Sequence, residues 1–244
     1  MNIVIVGGSS GIGMALSNHF SNKNNVFIGS RNIEKITSCI ESFKNNSVNT
    51  FSGDCVDVTS FDSVENFLDK ANSTLGSIDA IINCAGSLLL KPPHGLREED
   101  IENVFKVNVY SCYALLKFGF KHMKSNGGSY VFFSSAASKV GLKNHEVISG
   151  AKGAVSSIAL SAASTYANYN IRVNAIAPGL VETPLTEKIT SNQVSFDYSK
   201  KLHGLNRAGK VLNFIPIVDS LLNPDSDWIT GQTICVDGGL SNVK

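Results

Sequence analysis

The sequence predicts an α/β fold: one domain built on a doubly wound parallel sheet. Short β-branched runs alternate with longer segments of helical apolar spacing along the whole chain. A glycine-rich loop joins the first such run to the first helical segment. The chain has 244 residues and 43% hydrophobic content, and no repeat, composition shift or low-complexity linker interrupts it. We therefore expect residues 1–244 to form a single domain.

The predicted strands are short runs rich in β-branched and aromatic residues. In chain order they are Ile3–Val6, Val26–Ile28, Val48–Phe51, Ala80–Ile82, Tyr130–Phe133, Arg172–Ile176 and Thr233–Val236. Segments with helical apolar spacing separate most of them. These segments are Met14–Phe20, Ile33–Phe43, Val64–Ala71, Ile101–Met123 and Ala151–Tyr166. This alternation is typical of a parallel sheet with helices on both faces.

The longest stretch without a clear strand runs from Leu180 to Arg207. Its length predicts a helical insertion that serves as a lid over the carboxyl edge of the sheet. Apolar residues lie among polar ones there, which suits a lid over a partly apolar ligand, but a pair of amphipathic core-packing helices would show the same pattern. The apolar residues are Leu185, Ile189, Val194, Phe196, Tyr198 and Leu202.

Composition excludes several classes of function. The formal net charge is +1 and no long basic run is present, so we expect no nucleic-acid partner. No apolar stretch approaches the roughly 20 residues of a membrane span. The 5 cysteines are scattered without a Cys-x-x-Cys pair, which predicts reduced thiols and no metal site. The first residues lack the features of a signal peptide, so we expect a cytoplasmic protein.

The glycine-rich loop has the sequence Gly-Gly-Ser-Ser-Gly-Ile-Gly over residues 7–13 and opens into the first helix. Glycines let the backbone turn tightly and approach a pyrophosphate, and the helix N-terminus presents free N–H groups to the anion. Glycines alone also make ordinary turns, but this position between strand and helix predicts a nucleotide loop. The residues predicted to contact the nucleotide here are Gly7, Ser9, Ser10, Gly11, Ile12 and Gly13.

The end of the second strand predicts the choice of cofactor. A fold that uses NAD usually places an acidic residue there for the ribose hydroxyls, whereas this chain has Ser30 and Arg31. Ser30 offers an uncharged hydroxyl, and the Arg31 guanidinium suits the 2′-phosphate of NADP(H). The alternative is that Arg31 is a solvated residue of the first helical turn. We expect NADP(H) to be preferred over NAD(H).

Further motifs appear in a fixed order. They are Val56-Asp57-Val58, Asn83-Cys84-Ala85-Gly86, Asn108, Pro178-Gly179 with Thr183, Ile229–Gln232 and Val236–Gly239. Together with the glycine loop, they make residues 2–240 resemble a short-chain dehydrogenase/reductase. The resemblance implies a Rossmann-like fold with a dinucleotide cofactor. It also implies that Asn108 holds a proton-relay water. The residues that it implies to bind cofactor are Asp57, Val58, Asn83, Ala85, Gly86, Lys152, Pro178, Gly179 and Thr183.

The catalytic segment departs from this family at one position. The family places a serine 13 residues before a tyrosine and a lysine four residues after it. Ser135 and Lys152 are in register with that pattern, but Ile148 stands at the tyrosine position. In the family mechanism the serine bonds the substrate oxygen, and the lysine holds the nicotinamide ribose and lowers the tyrosine pKa. Losing a general acid commonly costs about 10² to 10⁴ in rate.

Another proton donor is therefore required if the chain is an enzyme. His145 is a candidate, because it lies three residues before Ile148 near the expected start of a helix, although a solvated loop histidine would look the same. Glu146 is expected to be a first-turn carboxylate. Tyr113 has a lysine four residues later, but it lies in the helix before the fifth strand and would point elsewhere.

His94 and His203 lie in segments that could border the substrate site, and both are expected at exposed positions. The Ala/Ser/Gly-rich helix 151–167 predicts close helix packing, either within the domain or across a homodimer or homotetramer interface, as the resemblance implies.

Two classes of function remain. The first is an NADP(H)-dependent oxidoreductase acting on a small carbonyl or alcohol substrate, with Ser135 polarising the oxygen and Lys152 positioning the cofactor. Its proton would come from His145 or water. The second is a catalytically silent NADP(H)-binding protein with a regulatory or scaffolding role. A dehydratase or isomerase on the same fold is a third interpretation.

Overall fold

A computed structural model describes residues 1–43 and 49–243. Its centre is a seven-stranded sheet in which every strand pair is parallel, in the order β3-β2-β1-β4-β5-β6-β7. The strands are β1 Asn2–Val6, β2 Asn25–Ser30, β3 Phe51–Cys55, β4 Ala80–Asn83, β5 Gly128–Phe133, β6 Ile171–Pro178 and β7 Thr233–Val236. The α/β, doubly wound, single-domain prediction is confirmed. The chain reverses its direction of strand addition between β1 and β4, and ligands bind at such switch points in this class of fold.

Six of the seven predicted strands coincide with observed ones, and the third was placed too early. The predicted segment Val48–Phe51 begins at a residue outside the described ranges, while the observed strand β3 begins at Phe51. Its sequence, Phe-Ser-Gly-Asp-Cys, is poor in β-branched residues. Backbone pairing of the strand with β2 sets its position at the sheet edge, and no side-chain pattern reveals it.

Helices cover all five predicted segments and extend most of them, and the last helix, at 215–222, was not predicted. They are α1 Gly11–Ser21, α2 Ile33–Phe43, α3 Phe61–Leu75, α4 Glu98–Phe105, α5 Ser111–Met123, α6 Glu146–Tyr166, α7 Glu187–Thr190, α8 Gln193–Lys201 and α9 Ile215–Leu222. A π-helical turn over Lys106–Tyr110 separates α4 from α5, where a single long helix was predicted. Such turns occur frequently at functional sites.

The core consists of two layers, one on each face of the sheet. One layer packs α3, α4, α5 and α6 against side chains such as Phe27, Tyr130 and Phe132. The other packs α1, α2 and α9 against side chains such as Ile5 and Val131. Successive residues of a strand point to opposite faces, so each inner strand contributes to both layers. This arrangement fixes the carboxyl ends of the strands, where the predicted site residues lie.

The segment 180–207, called the lid below, forms a short 3-10 turn and helices α7 and α8 over the carboxyl edge. Neither α7 nor α8 contains a buried residue. Leu185, Val194 and Tyr198 are 52%, 81% and 62% exposed. These two helices are therefore not core-packing helices, and the interpretation of the segment as a substrate lid stays a prediction.

Candidate functional site

The glycine loop is held between the ends of β2 and β4 by close backbone contacts. Gly7 has φ of +77°, and its N–H donates to the Gly29 carbonyl at 2.7 Å. A Cβ on Gly7 would lie 2.7 Å from the Ala85 nitrogen, and a Cβ on Gly13 would lie 2.2 Å from the Gly7 oxygen. Both distances are shorter than the contacts that a real Cβ atom makes with other heavy atoms. The loop therefore requires glycine at both positions.

The same loop opens the first helix with free donors. Ser10 is the N-cap of α1, and its side chain forms no capping hydrogen bond. Uncapped N–H groups at a helix start are suited to an anion. Ser9 is buried, and Ile12 packs against the core layer that contains α1. A Cβ on Gly11 would lie 3.4 Å from Thr183, so the start of the lid faces the loop.

The end of β2 presents an exposed cation. Ser30 Oγ donates to the Asn32 carbonyl at 3.3 Å and accepts from the Asn32 N–H at 3.4 Å, and both bonds are long. Arg31 is exposed, and no ion pair among the described residues uses it. Hydrogen bonds from Thr59 to Asp57 lower the pKa of that carboxyl, and the positive charge of Arg31 contributes to a smaller extent. Arg31 is therefore available to a phosphate group.

Asn83, at the end of β4, fixes the turn that follows it. Its side chain is 3% exposed and donates to Ser111 Oγ at 3.0 Å. The side-chain oxygen accepts from the Ala85 N–H at 3.2 Å. Through these two hydrogen bonds Asn83 holds the backbone at Ala85, next to Gly86, in place. A direct contact of Asn83 with cofactor stays a prediction.

Gly86 leaves room above two of the predicted catalytic residues. A Cβ there would lie 3.1 Å from Asn108 Oδ1 and 3.5 Å from Lys152 Nζ. Asn108 lies in the π-helical turn and is 1% exposed. Its side-chain amide donates to the Val104 carbonyl and to Ser87 Oγ, both at 2.9 Å. The structure thus brings Asn108 and Lys152 together beside one small turn.

Ser135 and Lys152 meet at the end of β5. Ser135 Oγ accepts a hydrogen bond from the Ala137 N–H at 3.1 Å. The hydroxyl hydrogen of Ser135 has no acceptor among the described residues and remains available to a substrate oxygen. Lys152 extends from α6 to the same strand end, where its Nζ donates to the Phe133 carbonyl at 2.8 Å. The serine and the lysine predicted from their spacing therefore border the same strand terminus.

The electrostatics of Lys152 are unusual. Burial lowers the pKa of this amine to about 8, and the nearby thiols Cys112 and Cys84 act weakly in the opposite direction. Burial in turn raises the pKa of Cys112 to about 11 and that of Cys84 further, so both are protonated thiols at neutral pH. Lys152 can therefore exchange a proton near neutrality, and the thiols cannot.

Ile148, at the position of the missing phenol, is 3% exposed and belongs to the core layer that contains α6. His145 is the N-cap residue of α6 and is partly buried, with its Nδ1 2.8 Å from the Lys143 carbonyl oxygen. Glu146 is an exposed first-turn carboxylate, as predicted. No described hydrogen bond links His145 to Ser135, and its role as a proton donor stays a prediction.

Three remaining candidates are placed by the structure. Tyr113 is 51% exposed on α5 and belongs to the outer helix layer. His94 is exposed, as predicted. The prediction that His203 is exposed is wrong, because His203 is 5% exposed and both of its ring nitrogens are bonded. The residue packs against Gly179 after β6 and Gly238 after β7, and no periodicity in the surrounding sequence signals these contacts.

The turn after β6 completes the rim of the site. Pro178 is the last residue of β6, and the Gly179 N–H donates to the Val236 carbonyl of β7 at 3.3 Å. The chain then passes Leu180 and reaches Thr183 opposite the glycine loop. The loop, the turn and the strand ends therefore lie along one edge of the sheet at the switch point between β1 and β4, and this edge is called the cleft below.

The cleft fits a dinucleotide on a structural ground. Side chains are sterically excluded at Gly7 and Gly13, so bare backbone and an uncapped helix start face the position that a pyrophosphate requires. The full set of cofactor contacts stays a prediction from the sequence; it comprises Gly7, Ser9, Ser10, Gly11, Ile12, Gly13, Ser30, Arg31, Asp57, Val58, Asn83, Ala85, Gly86, Lys152, Pro178, Gly179 and Thr183. Within residues 1–43 and 49–243, no group of three or more His, Cys, Asp or Glu side chains is arranged to hold a metal ion. No helix in those ranges has both the length and the apolarity needed to span a bilayer.

Two relatives in sequence cover nearly the whole chain. A tropinone reductase homolog of Arabidopsis thaliana is 30% identical over an alignment of 244 positions, which covers 99% of this chain and 76% of the relative. A tropinone reductase homolog of Datura stramonium is 29% identical over 245 residues, covering 98% of this chain and 91% of the relative.

Solved structures agree with the sequence relatives. A short-chain type dehydrogenase/reductase from Mycobacterium ulcerans is similar with a TM-score of 0.92 and 27% identity, covering 98% of this chain and 89% of that one. A structure described as ElxO with NADP bound is similar with a TM-score of 0.89 and 30% identity, covering 98% of both chains. The family model described as enoyl-(acyl carrier protein) reductase matches residues 6–241. The chain therefore belongs to this family of short-chain dehydrogenase/reductase oxidoreductases.

Proposed function

We propose that this protein is an NADP(H)-dependent oxidoreductase that acts on a small carbonyl or alcohol substrate with an altered proton donor. The observation that carries the proposal is that Asn108 and Lys152 lie together beside Gly86. Lys152 also bonds the Phe133 carbonyl at the end of β5, two residues before Ser135. The bound nicotinamide would supply or accept a hydride. Ser135 donates its free hydroxyl hydrogen to the substrate oxygen and polarises the carbonyl.

The proton must come from a group other than a phenol, because Ile148 has no exchangeable hydrogen. Two sources of the proton remain. One is His145, whose Nδ1 contacts the Lys143 carbonyl. The other is a water to which Lys152 returns the proton. The lowered pKa of Lys152, about 8, supports the water route, since such an amine loses and regains protons readily near neutral pH. His145→Ala decides between them: activity falls at least tenfold if His145 is the donor and persists if water is.

We further propose that NADP(H) is preferred over NAD(H) through Arg31. The free, exposed guanidinium supports this, as does the NADP-bound relative that is 30% identical. Titration with NADPH and NADH should show a preference of about 1–3 kcal/mol, and Arg31→Ala should remove it. Lys23→Ala, which removes an exposed charge outside the cleft, is the matched control. Equal affinities in the parent protein would refute the preference.

The second candidate is a catalytically silent NADP(H)-binding protein. Two observations favour it: Ile148 is packed into the core, and Lys152 already bonds the Phe133 carbonyl without any ligand. NADPH oxidation over a panel of ketones and aldehydes separates the two candidates. Activity in the parent protein supports the enzyme. Tight NADPH binding with no turnover of any panel member supports the silent protein.

We also propose that the protein is a homodimer or homotetramer that forms through α5 and α6. An open groove of about 500 Å³ lies between these helices and is lined by Tyr113, Leu116, Ala154, Ile158 and Ala162. Light scattering coupled to gel filtration gives the mass. The parent should be at least dimeric, and Ala154→Arg should shift it toward the monomer.

We propose that the protein works in a reducing compartment such as the cytoplasm. Its five cysteines are free thiols, which supports this location, and cell fractionation checks it.

A further inference from the structure

His203 follows the end of α8 and uses both ring nitrogens for main-chain hydrogen bonds. Its Nδ1 lies 2.8 Å from the Ser199 carbonyl oxygen in α8. Its Nε2 lies 3.0 Å from the Leu180 main-chain nitrogen, which is outside α8. A carbonyl can only accept and an N–H can only donate. The ring is therefore neutral, with its hydrogen on Nδ1 and a lone pair on Nε2.

The contact is close as well as directional. A Cβ on Gly179 would lie 2.6 Å from Nε2, so only glycine lets the turn approach the ring this closely. On its other side the turn is tied by the Gly209 N–H, which donates to the Leu180 carbonyl at 2.8 Å. The Leu180 N–H has no other acceptor among the described residues. The imidazole is thus the link between this main-chain group and α8.

We infer that His203 is a positioning residue that couples the lid helix α8 to the cofactor-binding turn after β6. The turn and the helix then move as one unit, and the turn is held for the nicotinamide half of the cleft. The coupling rests on geometry alone, while its effect on cofactor rests on the proposed function.

The charged groups near the ring have other partners. Asp237 lies beside Gly179, and its carboxylate oxygens accept from the Gly239 N–H and the Ser241 N–H. On α8, Lys200 pairs with Asp197 at 2.7 Å. No described carboxylate forms an ion pair with His203, so its two main-chain hydrogen bonds are what hold the ring in place.

Amide hydrogen exchange of the ligand-free protein tests the link. The Leu180 amide should be protected in the parent protein after correction for the intrinsic exchange rate. His203→Gln keeps a side-chain acceptor and should retain most of this protection. His203→Ala removes the acceptor and should lower the Leu180 protection factor at least tenfold. His122→Gln, which alters a histidine paired with Asp69 elsewhere, should match the parent.

Protection of Leu180 in His203→Ala equal to the parent would overturn the inference. So would a loss of protection in His203→Gln as large as in His203→Ala, because the glutamine side chain keeps an acceptor for the Leu180 N–H. NADPH titration of the same variants tests the cofactor step. His203→Ala should weaken NADPH binding about tenfold and His203→Gln should not. If the parent binds no NADPH, the proposed function fails, and the exchange result still decides the link.

Discussion

The nucleotide loop follows β1, and the catalytic edge, which comprises Ser135, Ile148 and Lys152, lies at the end of β5 on the far side of β4. The sequences of these two regions are constrained in different ways. The loop is fixed by backbone atoms: a Cβ on Gly13 would lie 2.2 Å from the Gly7 oxygen. The catalytic edge is fixed by side chains, and Ile148 fills its position there as a core residue. A backbone constraint admits one residue type. A side-chain position accepts any residue that packs, even when the chemistry changes.

The two regions also differ in how their polar groups are satisfied without a ligand. The start of α1 keeps uncapped N–H groups that only an anion or water can use. At the catalytic edge, Lys152 bonds the Phe133 carbonyl and Ser149 Oγ donates to the Ala137 carbonyl at 2.7 Å. The loop is therefore built for a ligand from outside, whereas the edge can exist as a self-contained polar network.

The largest effect is expected from a substitution in the nucleotide loop, where the backbone leaves no room for a side chain. Gly13→Ala places a methyl group against the Gly7 oxygen and should cost about 3 kcal/mol or more of unfolding free energy while abolishing NADPH binding. Gly150→Ala is the matched control, because a Cβ there meets no atom within 4 Å. It should stabilise the helix by about 0.5–1 kcal/mol. Urea unfolding and NADPH titration measure both, and a tolerated Gly13→Ala would contradict the constraint.

The second prediction restores chemistry at the side-chain-constrained region. Ile148→Tyr should raise carbonyl reduction by about 10²-fold if Ser135 and Lys152 form a site that lacks only its acid. Since Ile148 is 3% exposed, the larger ring should also cost about 1–3 kcal/mol of stability. Ile148→Phe has the same ring without the hydroxyl and should lose stability without gaining rate. Equal rates in the two variants, measured as steady-state NADPH oxidation, would show that the edge is not a competent site.

The same contrast explains what could be predicted from the sequence. The glycine loop was predicted from its position between the first strand and the first helix. Ser135 and Lys152 were predicted from the spacing that the resemblance to short-chain dehydrogenases/reductases implies. Strand β3 was misplaced because an edge strand of sequence Phe-Ser-Gly-Asp-Cys is positioned by its neighbour. The burial of His203 depends on a contact between two distant loops, and no local periodicity encodes such a contact.

The third prediction concerns the charge of Lys152. Its folded-state pKa of about 8 lies below the value of about 10.4 expected for an unfolded chain. The folded state therefore binds the proton less tightly, which costs stability below pH 8 and ceases to do so as the pH rises toward 10. Lys152→Met should stabilise the ligand-free protein at pH 7 by about 1–2 kcal/mol, after allowing for the lost bond to Phe133.

This advantage of Lys152→Met should shrink between pH 8 and pH 10. Urea unfolding of both proteins across that range gives the difference in unfolding free energy at each pH. Lys143→Met removes an exposed lysine of the loop before α6 and should show no such pH dependence. If the difference in unfolding free energy between Lys152→Met and the parent stays constant with pH, the pKa of the Lys152 amine is not lowered in the folded protein.

The smallest expected effect tests whether the catalytic edge is a self-contained network. Ser149→Ala removes the hydroxyl that ties α6 to the Ala137 carbonyl, two residues beyond Ser135, and should cost about 1 kcal/mol of unfolding free energy. It should also weaken the protection of the amides at 135–138 from hydrogen exchange, because the turn loses its anchor on α6. Ser157→Ala, an exposed serine on the same helix, should be neutral or slightly stabilising. If both variants behave alike, the serine at 149 plays no part in holding the Ser135 turn, and the edge depends on the packing of Ile148 and on Lys152 alone.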